Sequence, residues 1–578
     1  MIQMSHRVAR AHRNRQLFSN HFLEIRLRQT SIWNDSAAEA EELRQKLRVV
    51  LNAQEGILAQ SNEAQTEERL IRPVLRELGW AFEVQPRSQR LGATQYPDYA
   101  LFSEQAAANA AAAFPDRRHV LKNAIAVLEA KRWQRGLDAT GAGGDLFPNR
   151  VPSTQIINYL YRAEQPWGVL TNGGEWRLYF RDADFADTVY FAVDLPALLG
   201  DERLPVGESG ENIPAAEAFR YFYLFFRPQA FGPDPDGRRW LDLLRQNSAQ
   251  YARAVEDALK PQAYRALTAL CRGFIAAEGR PAADVIGDDD DASAILDNSL
   301  TLLFRLLFLL YAEARDLLPL RTNAAYRRKS LHHLRERAAR VRDGSEALFP
   351  RGRDFWNDLQ DLCAIVDGAE EWRDVGIPIY NGGLFDPAQH PFLGSHYVAD
   401  PQLAEAIDLL SRAEDPGTNA LHFVDYEPLD VRQLGSIYEG LLEHTIRIAD
   451  EPLAAECEHG VVVRDAVQSG ELYLATESGE RKATGSFYTP GSIVQYIVHR
   501  SLGPLVKGRT PDEILRLRVL DPAMGSGHFL VAATSYVARA AVSAVEASDQ
   551  AVLGDFALLD PERLRRLVIE RCIFGVDR

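Results

Sequence analysis

The spacing of apolar residues changes several times along the 578-residue chain. From Ser36 to Leu58, and again through "TEERLIRPVLRELGW" up to Gly79, apolar positions recur at the spacing of a helix that is buried on one face. Short apolar runs follow in "DYALF", "AIAVLEA" and "WGVLTNGGEWRLYF", the last with Asn172 and two glycines at a hairpin turn. This mixture of helices and strands predicts an α/β domain over residues 36–200.

Long helical patterns dominate the middle of the chain. They run with interruptions over residues 216–450 and predict a mainly α-helical domain over residues 201–470. The most apolar stretch, "LTLLFRLLFLLYAEA" from Leu300, carries Arg305 and Glu313 and is too short and too charged to span a bilayer. We interpret it as a core helix and expect no membrane partner.

The length of the chain requires several hydrophobic cores, and three or four domains are expected. The first 35 residues hold six arginines against Glu24 and Asp35, which is compatible with a basic arm on DNA but fits a frayed or misassigned start of the chain better. The predicted division is a basic arm (1–35), an α/β domain (36–200), a helical connector (201–470) and a carboxy-terminal segment (471–578).

Charge and cysteine content restrict the classes of partner and site. The net charge of −16 excludes a basic coat over the whole surface, so any contact with DNA requires a local basic groove. The four cysteines are scattered without a CxxC pair, which indicates neither a zinc site nor a disulfide framework and fits a reducing cytoplasm. The acidic run at Asp288 to Asp291 fits a solvated loop before a helix better than a metal site.

Two carboxylates and a lysine stand at the ends of two predicted strands. Asp98 begins the strand in "YPDYALF", and Glu129 and Lys131 lie two positions apart at the end of "NAIAVLEAKRW". Residues i and i+2 of a strand share a face, so Glu129 and Lys131 project together. Asp98 and Glu129 are then suited to bind Mg²⁺, with Lys131 beside the attacking water.

Two neighbouring helical patterns carry polar residues toward the same region. Glu63 and Glu67 extend an apolar helical stripe, so at least one of them lies on a buried face, where an unpaired carboxylate is costly. Gln155 and Tyr159 are spaced i, i+4 on a predicted helix and are able to face the site together.

Residues 62–180 resemble the PD-(D/E)XK nucleases, particularly the amino-terminal nuclease domains of type I restriction motor subunits and of fused restriction-modification enzymes. The resemblance rests on "LIRPVLRELGW", "PDYALF", "VLEAK", "QIINY" and "GVLTNGGEWRLY". It implies an α/β PD-(D/E)XK nuclease domain that uses Mg²⁺ for DNA cleavage. Asp98, Glu129 and Lys131 are its implied catalytic residues, with Gln155 in support. The long interval before Glu129 leaves Asp116 in "FPDRR" as a rival metal ligand.

A second motif, "VLDPAMGSGHFLVAAT", begins at Val519 and combines a short strand, an acid, a glycine turn and a helix. The small residues Gly525, Ser526 and Gly527 allow a ligand to approach the backbone, and the following helix directs its positive end toward the turn. A dinucleotide fingerprint requires a third glycine where Leu530 stands.

The string D-P-A-x-G-S-G resembles motif I of adenine-N6 DNA methyltransferases, and "ATGSFYTPGSIVQYIV" resembles their motif X. The resemblance implies the start of a Rossmann-like class I methyltransferase domain that binds S-adenosyl-L-methionine. Motif X would line the methionine pocket, and motif I would contact the amino acid moiety. The implied cofactor-binding residues are Phe487, Tyr488, Thr489, Pro490, Asp521, Pro522, Gly525 and Gly527.

The ribose of this cofactor needs an acid at the end of a second strand. "CIFGVD" predicts such a strand, ending in Asp577. Glu546 is nearer the usual spacing but lies in a helical pattern, so Asp577 is preferred and Glu546 remains the alternative.

The order of motif X before motif I, together with "LLFRLLFLLYAEARDLLP", "IPIYNGGLFD" and "LGSIYEGLLEHTI", resembles type IIG and IIL restriction-modification enzymes and BREX-type methylases. The Asn-Pro-Pro-aromatic motif of these methylases does not occur in the chain. We therefore expect the amino-terminal part of a longer cytoplasmic enzyme for phage defence, inactive as a methylase by itself, which acts on double-stranded DNA. The alternatives are a BREX-like methylase with a degenerate nuclease domain and a non-catalytic DNA-binding or regulatory remnant.

Overall fold

The described part of the chain forms two compact units in a computed structural model. One unit contains residues 1–249 and 489–578, and the other contains residues 250–488. The structure describes residues 9–54, 56–84, 96–113, 117–138, 151–183, 187–206, 211–315, 317–320, 323–377, 383–414, 421–427, 429, 431–439, 441, 444–458, 461–464, 466–476, 489–525, 527–547 and 561–576.

A seven-stranded sheet organises the first unit, in the order β1-β7-β6-β5-β4-β3-β2. Only β4 and β5 are parallel among these neighbours. The central strands are buried at every position because their sequences are nearly continuous apolar runs, covered on both faces. The strands are β1 (Arg13–Arg15), β2 (Ala81–Val84), β3 (Tyr99–Phe102), β4 (Ala126–Ala130), β5 (Trp167–Thr171), β6 (Glu175–Phe180) and β7 (Tyr190–Asp194), followed by a hairpin of β8 (Arg203–Val206) and β9 (Glu211–Pro214).

Helices cover the two faces of this sheet with separate apolar cores. Leu43, Leu75 and Phe222 belong to the core on one face, and Ile156 and Leu160 belong to the core on the other. The helices are α1 (Ser31–Asp35), α2 (Ala37–Asn52), α3 (Glu63–Thr66), α4 (Arg72–Glu77), α5 (Gln105–Ala112), α6 (Arg117–Asn123), α7 (Pro152–Ala163), α8 (Leu195–Leu199), α9 (Ala215–Phe226), α10 (Pro228–Phe231) and the first part of α11 (Trp240–Glu278), whose residues from Gln250 onward belong to the second unit. A π-helical turn (Glu67–Ile71) joins α3 to α4, and short helical turns occur at Phe22–Arg26, Leu27–Gln29 and Leu58–Gln60.

The described residues before α2 are packed into the fold, which corrects the prediction of a basic arm. β1 pairs antiparallel with β7 at the edge of the sheet, and Phe18 and Trp33 are buried in the core. Two of the arginines that suggested an arm form ion pairs: Arg13 contacts Glu175 at 2.6 Å, and Arg28 contacts Glu211 at 2.7 Å. Local charge composition cannot show such a pairing, because the partners lie far along the chain.

The second unit is mainly helical, but it contains residues 250–488, whereas the predicted helical domain began at residue 201. Four of its helices, α13, α15, α16 and α18, contribute to its apolar core, and their bounds are given in the next sentence. The helices are α12 (Ala282–Val285), α13 (Asp289–Ala314), α14 (Ala324–Lys329), α15 (Leu331–Arg342), α16 (Asp354–Asp367), α17 (Pro391–Ser395), α18 (Asp400–Ser411) and α19 (Val431–Glu439), with helical turns at Glu370–Val375 and Pro387–Gln389. Three two-stranded sheets pair β10 (Arg412–Glu414) with β11 (Leu421–Phe423), β12 (His444–Ile448) with β15 (Leu472–Thr476), and β13 (Glu456–Glu458) with β14 (Val461–Arg464).

The apolar helix α13 is a core helix of this unit. Its 26 residues are long and apolar enough to cross a membrane by length and composition, but most of its apolar window is buried inside the protein. The acidic run occupies its exposed start, where the carboxylate of Asp288 accepts hydrogen bonds from the backbone N–H groups of Asp290 and Asp291 at 3.0 Å. This placement agrees with solvated residues that cap a helix.

The carboxy-terminal residues of the first unit form a small parallel α/β layer. β16 (Val519–Asp521) and β17 (Ile573–Gly575) are parallel neighbours, and the helices pack on one another through residues such as Val498, Val537 and Val568. Leu520 on β16 is 60% exposed, so this short sheet has an uncovered apolar face. The helices are α20 (Gly491–Val506), α21 (Pro511–Ile514), α22 (His528–Ala547) and α23 (Pro561–Cys572).

Candidate functional site

Adjacent strands bring Asp98, Glu129 and Lys131 to one place. A carboxylate oxygen of Asp98, just before β3, accepts a hydrogen bond from the backbone N–H of Ala130 at 2.9 Å. The backbone N–H of Asp98 donates to the carboxylate of Glu129 at 3.3 Å. The ammonium of Lys131 forms a hydrogen-bonded ion pair with the same Glu129. The convergence follows from the antiparallel pairing of β3 with β4, and the catalytic role of the three residues stays a prediction.

The cluster is buried and carries excess negative charge. The side chains of Glu129 and Lys131 are 3% and 6% exposed. Burial raises the pKa of Glu129 well above its ordinary value, and the charge of Asp98 acts in the same direction. Burial by itself lowers the pKa of Lys131, but the charges of Glu129, Glu63 and Asp98 outweigh it, so this pKa is raised. The neighbouring carboxylates therefore favour the charged form of Lys131.

Glu63 is a fourth member of the cluster that sequence reasoning did not assign. Its charge acts on both Glu129 and Lys131 from the first turn of α3. Glu67, one turn along, is buried and accepts a hydrogen bond from the hydroxyl of Tyr99 at 2.6 Å. Glu63 therefore acts on the cluster through its charge, whereas Glu67 holds the helix against β3 through Tyr99. The sequence signal for Glu63 was its i, i+4 spacing from Glu67, which places both acids on one side of a helix.

A second tie joins this helix to the chain that follows Lys131. The backbone N–H of Trp133 donates to the hydroxyl oxygen of Thr66 at 3.1 Å, and Thr66 is fully buried. Because Thr66 lies on α3, one turn from Glu63, this bond holds the helix against the segment that carries the lysine.

Gln155 and Tyr159 pair with each other on α7. The side-chain amide of Gln155 donates to the hydroxyl oxygen of Tyr159 at 2.7 Å, and both residues are buried. This confirms that the two share a face, while the support of the carboxylates by Gln155 stays a prediction. Asp116 lies outside the described residues, so the choice between Asp98 and Asp116 as the first metal ligand stays open.

The donor set of the cluster suits a hard divalent cation. Carboxylate oxygens are the ligands that Mg²⁺ prefers, and Asp98 and Glu129 supply them beside the negative charge of Glu63. Among the residues that the structure describes, no group of three or more His, Cys, Asp and Glu side chains is placed to hold a metal ion. Binding of a divalent cation here therefore depends on the two carboxylates that the sequence predicts, those of Asp98 and Glu129.

The glycine turn after β16 has the backbone that its sequence requires. Gly525 and Gly527 have φ values of +50° and +78°, a region that side chains disfavour. A Cβ atom added at Gly527 meets no atom within 4 Å, so a ligand can approach this backbone. Asp521 ends the strand, and its carboxylate accepts a hydrogen bond from the backbone N–H of Ala523 at 3.1 Å.

The end of β17 lies beside this turn. The backbone N–H of Val576 donates to the carbonyl of Asp521 at 2.9 Å, and that of Met524 donates to the carbonyl of Val576 at 3.0 Å. Two parallel strands thus end at the edge where α22 begins, which is the usual ligand edge of a parallel sheet.

The remaining predicted cofactor residues are only partly described. Pro490 directly precedes α20, after Thr489. Phe487, Tyr488, Ser526 and Asp577 lie outside the described residues, as does the side chain of Glu546. The choice between Asp577 and Glu546 as the ribose acid therefore stays open.

Comparisons with known proteins find a family match over the segment that contains this turn. Residues 471–553 match the family model for N-6 DNA methylase, a range that contains both the motif X and the motif I segments. The chain carries an N6 DNA methyltransferase domain. A protein of Methanocaldococcus jannaschii whose name describes a candidate type II restriction enzyme and methyltransferase is 26% identical over 195 residues, which cover 27% of this chain and 14% of that protein. No solved structure matches the chain.

The family of this match, N-6 DNA methylase, acts on DNA. The methyltransferase family also implies the use of S-adenosyl-L-methionine. The chain spans 14% of the length of the relative that it matches, so the activity of that whole protein is not carried over.

Proposed function

We propose that the chain belongs to a restriction-modification protein that methylates the N6 amino group of adenine in double-stranded DNA, and that its turn after β16 binds the S-adenosyl-L-methionine. The observation that carries this proposal is the open glycine turn at the common edge of two parallel strands. The match to N-6 DNA methylase over the same segment supports it.

The residues of the turn account for the proposed binding of S-adenosyl-L-methionine. S-adenosyl-L-methionine, when bound, supplies an activated methyl group. Gly525 and Gly527 permit close approach, and Asp521 places a carboxylate at the end of the strand. Backbone N–H groups at the start of α22 direct their positive ends toward the same region, where they suit the carboxylate of the amino acid moiety.

Gly527→Ala tests the turn against a matched substitution. Gly508→Ala is the control, because Gly508 also has a positive φ, of +74°, and also has open space at its Cβ position. Calorimetric titration of the full chain should show at least about tenfold weaker cofactor binding in Gly527→Ala, a loss of about 1.4 kcal/mol, and unchanged binding in the control. Equal affinity in both variants would refute the assignment.

Two isosteric variants distinguish Asp577 from Glu546 as the acid that binds the ribose. We expect Asp577→Asn to weaken cofactor binding, because a carboxylate accepts both ribose hydroxyls better than an amide does. Glu546→Gln should bind like the unmodified chain. The reverse pattern would assign the ribose to Glu546.

We further propose Mg²⁺-dependent cleavage of DNA by the first unit, with Asp98 and Glu129 as metal ligands, Lys131 beside the attacking water and Gln155 in support. The observation that favours this second activity is the ion pair of Lys131 with buried Glu129, beside Asp98, whose carboxylate is hydrogen-bonded to the backbone of β4. Excess negative charge in a buried place is costly without a cation, and a divalent ion relieves it.

Plasmid nicking tests the cluster. Glu129→Ala and Lys131→Ala should abolish Mg²⁺-dependent nicking by the full chain, whereas Glu104→Ala, which removes an exposed acid just after β3, should not. Nicking that survives in both cluster variants would show that the cut is made elsewhere. Cofactor binding without any nicking would favour a methylase with a degenerate nuclease domain, and the loss of both would favour a non-catalytic remnant.

A further inference from the structure

An open basic cleft lies between α14 and α15 in the second unit. It has a volume of about 450 Å³, and four of its six lining residues are arginine or histidine. The cleft is lined by Ala324, Arg327, Arg328, His332, His333 and Glu336. Two adjacent arginines beside two histidines stand out in a chain with a net charge of −16.

Arg327 and Arg328 are exposed and, within the described part of the chain, have no carboxylate partner. Neighbouring cations are neutralised: Lys329 contacts Asp361 at 2.8 Å, and Arg337 contacts Asp358 at 3.0 Å. The fold therefore pairs the cations around the cleft and leaves two adjacent guanidinium groups to face solvent. Their charge is available to an anionic ligand.

The core of the unit holds the two helices that form the cleft. Glu313 of α13 accepts hydrogen bonds from the hydroxyl of Tyr326 and from the backbone N–H groups of Leu331 and His332, all at 2.8 Å. The first amides of α15 are thus occupied by Glu313. An anion in the cleft would therefore be bound by side chains. The two helices that carry these side chains are held in place before the anion binds.

The side chains of the cleft fit phosphodiester groups. Guanidinium groups bind phosphate oxygens in a fork that lysine cannot form, and two adjacent arginines can contact successive phosphates of one strand. The only acid that lines the cleft, Glu336, is engaged by the ring of His332 at 3.2 Å. The exposed ring of His333 adds a hydrogen-bonding group at the edge.

We propose that this cleft binds the sugar-phosphate backbone of double-stranded DNA through Arg327 and Arg328. The inference rests on the proposed function, in which DNA is the substrate, and it adds a backbone-binding site in the helical unit. Such contacts position a protein on the duplex without reading its sequence.

The salt dependence of DNA binding by the full chain tests this site. Fluorescence anisotropy with a labelled duplex of mixed sequence gives the slope of log affinity against log salt concentration. Each phosphate contact contributes about 0.9 to that slope, so Arg327→Ala with Arg328→Ala should reduce it by about two. Lysine at both positions should retain the slope, because the charge remains.

The control removes the same charge from outside the cleft. Arg253→Ala with Arg351→Ala changes two exposed arginines of the same unit and should leave the slope unchanged. An unchanged slope in the cleft variant, or an equal loss in the control, would overturn the site. A chain that binds no duplex at all would refute the proposed function as well. Binding of polyglutamate that depends on Arg327 and Arg328, with DNA binding that does not, would assign the cleft to an acidic protein partner.

Discussion

Glu313 should make the second unit less stable as pH rises toward neutrality. Burial raises the pKa of Glu313 to about 7, against an ordinary value of 4.5, although three hydrogen-bond donors oppose the shift. Between these two values the folded chain keeps a proton that the unfolded chain has released, so stability is full below about pH 4.5 and falls until about pH 7. At about 1.4 kcal/mol per pH unit, the loss is on the order of 3 kcal/mol.

Hydrogen exchange of peptides from residues 289–342, corrected for intrinsic exchange rates, measures this loss. The unmodified chain should show a smaller opening free energy at about pH 7.5 than at about pH 5, and Glu313→Gln should remove the difference because an amide does not titrate there. Glu336→Gln is the control, since Glu336 is an exposed acid on α15. An opening free energy that is independent of pH, or a pH dependence that survives in Glu313→Gln, would refute the reasoning.

Two further predictions concern the first unit. Arg565→Met should destabilise it by about 3 to 5 kcal/mol, because Arg565 forms an ion pair with buried Asp187, whose pKa burial raises even beside this partner. Urea unfolding checks this, with exposed Arg566→Met as the control. Mg²⁺ should raise the melting temperature of the chain, because an ion that binds only the folded state stabilises it. That increase should disappear in Asp98→Asn and persist in Asp182→Asn, which changes an acid paired with Arg181.

Each of these two predictions has an outcome that would contradict it. Equal stability of the two arginine variants would mean that the ion pair contributes nothing to the contact between the two chain segments of this unit. A response to Mg²⁺ that is the same in both carboxylate variants would place the ion away from Asp98.

The sequence was a reliable guide where the pattern is local. "DYALF" and "AIAVLEA" became β3 and β4 because continuous apolar runs require a strand that is covered on both faces. The two-residue spacing of Glu129 and Lys131 placed both at the end of one strand, where they form an ion pair. The small residues of motif I form the turn expected from the sequence, in which Gly525 and Gly527 have positive φ values.

Other features depend on pairings between distant segments. β1 was missed because its partner β7 lies more than 170 residues away, and its arginines looked like a charge run. The place of Glu63 at the acid cluster depends on how α3 lies against the sheet. Arg327 and Arg328 stand in a run of charges typical of any solvated helix, and only the folded structure shows which of these cations lack a carboxylate partner.

The most direct test of the account is the ligand specificity of the turn at Asp521 to Gly527. Calorimetric titration of the full chain should detect binding of S-adenosyl-L-methionine and of its demethylated product, and competition with NAD⁺ or ATP should not displace them. Asp521→Ala should weaken both ligands alike, because the acid addresses a part that they share. Binding of NAD⁺ or ATP in place of S-adenosyl-L-methionine, or no binding of any of them, would contradict the assignment of a methyltransferase site.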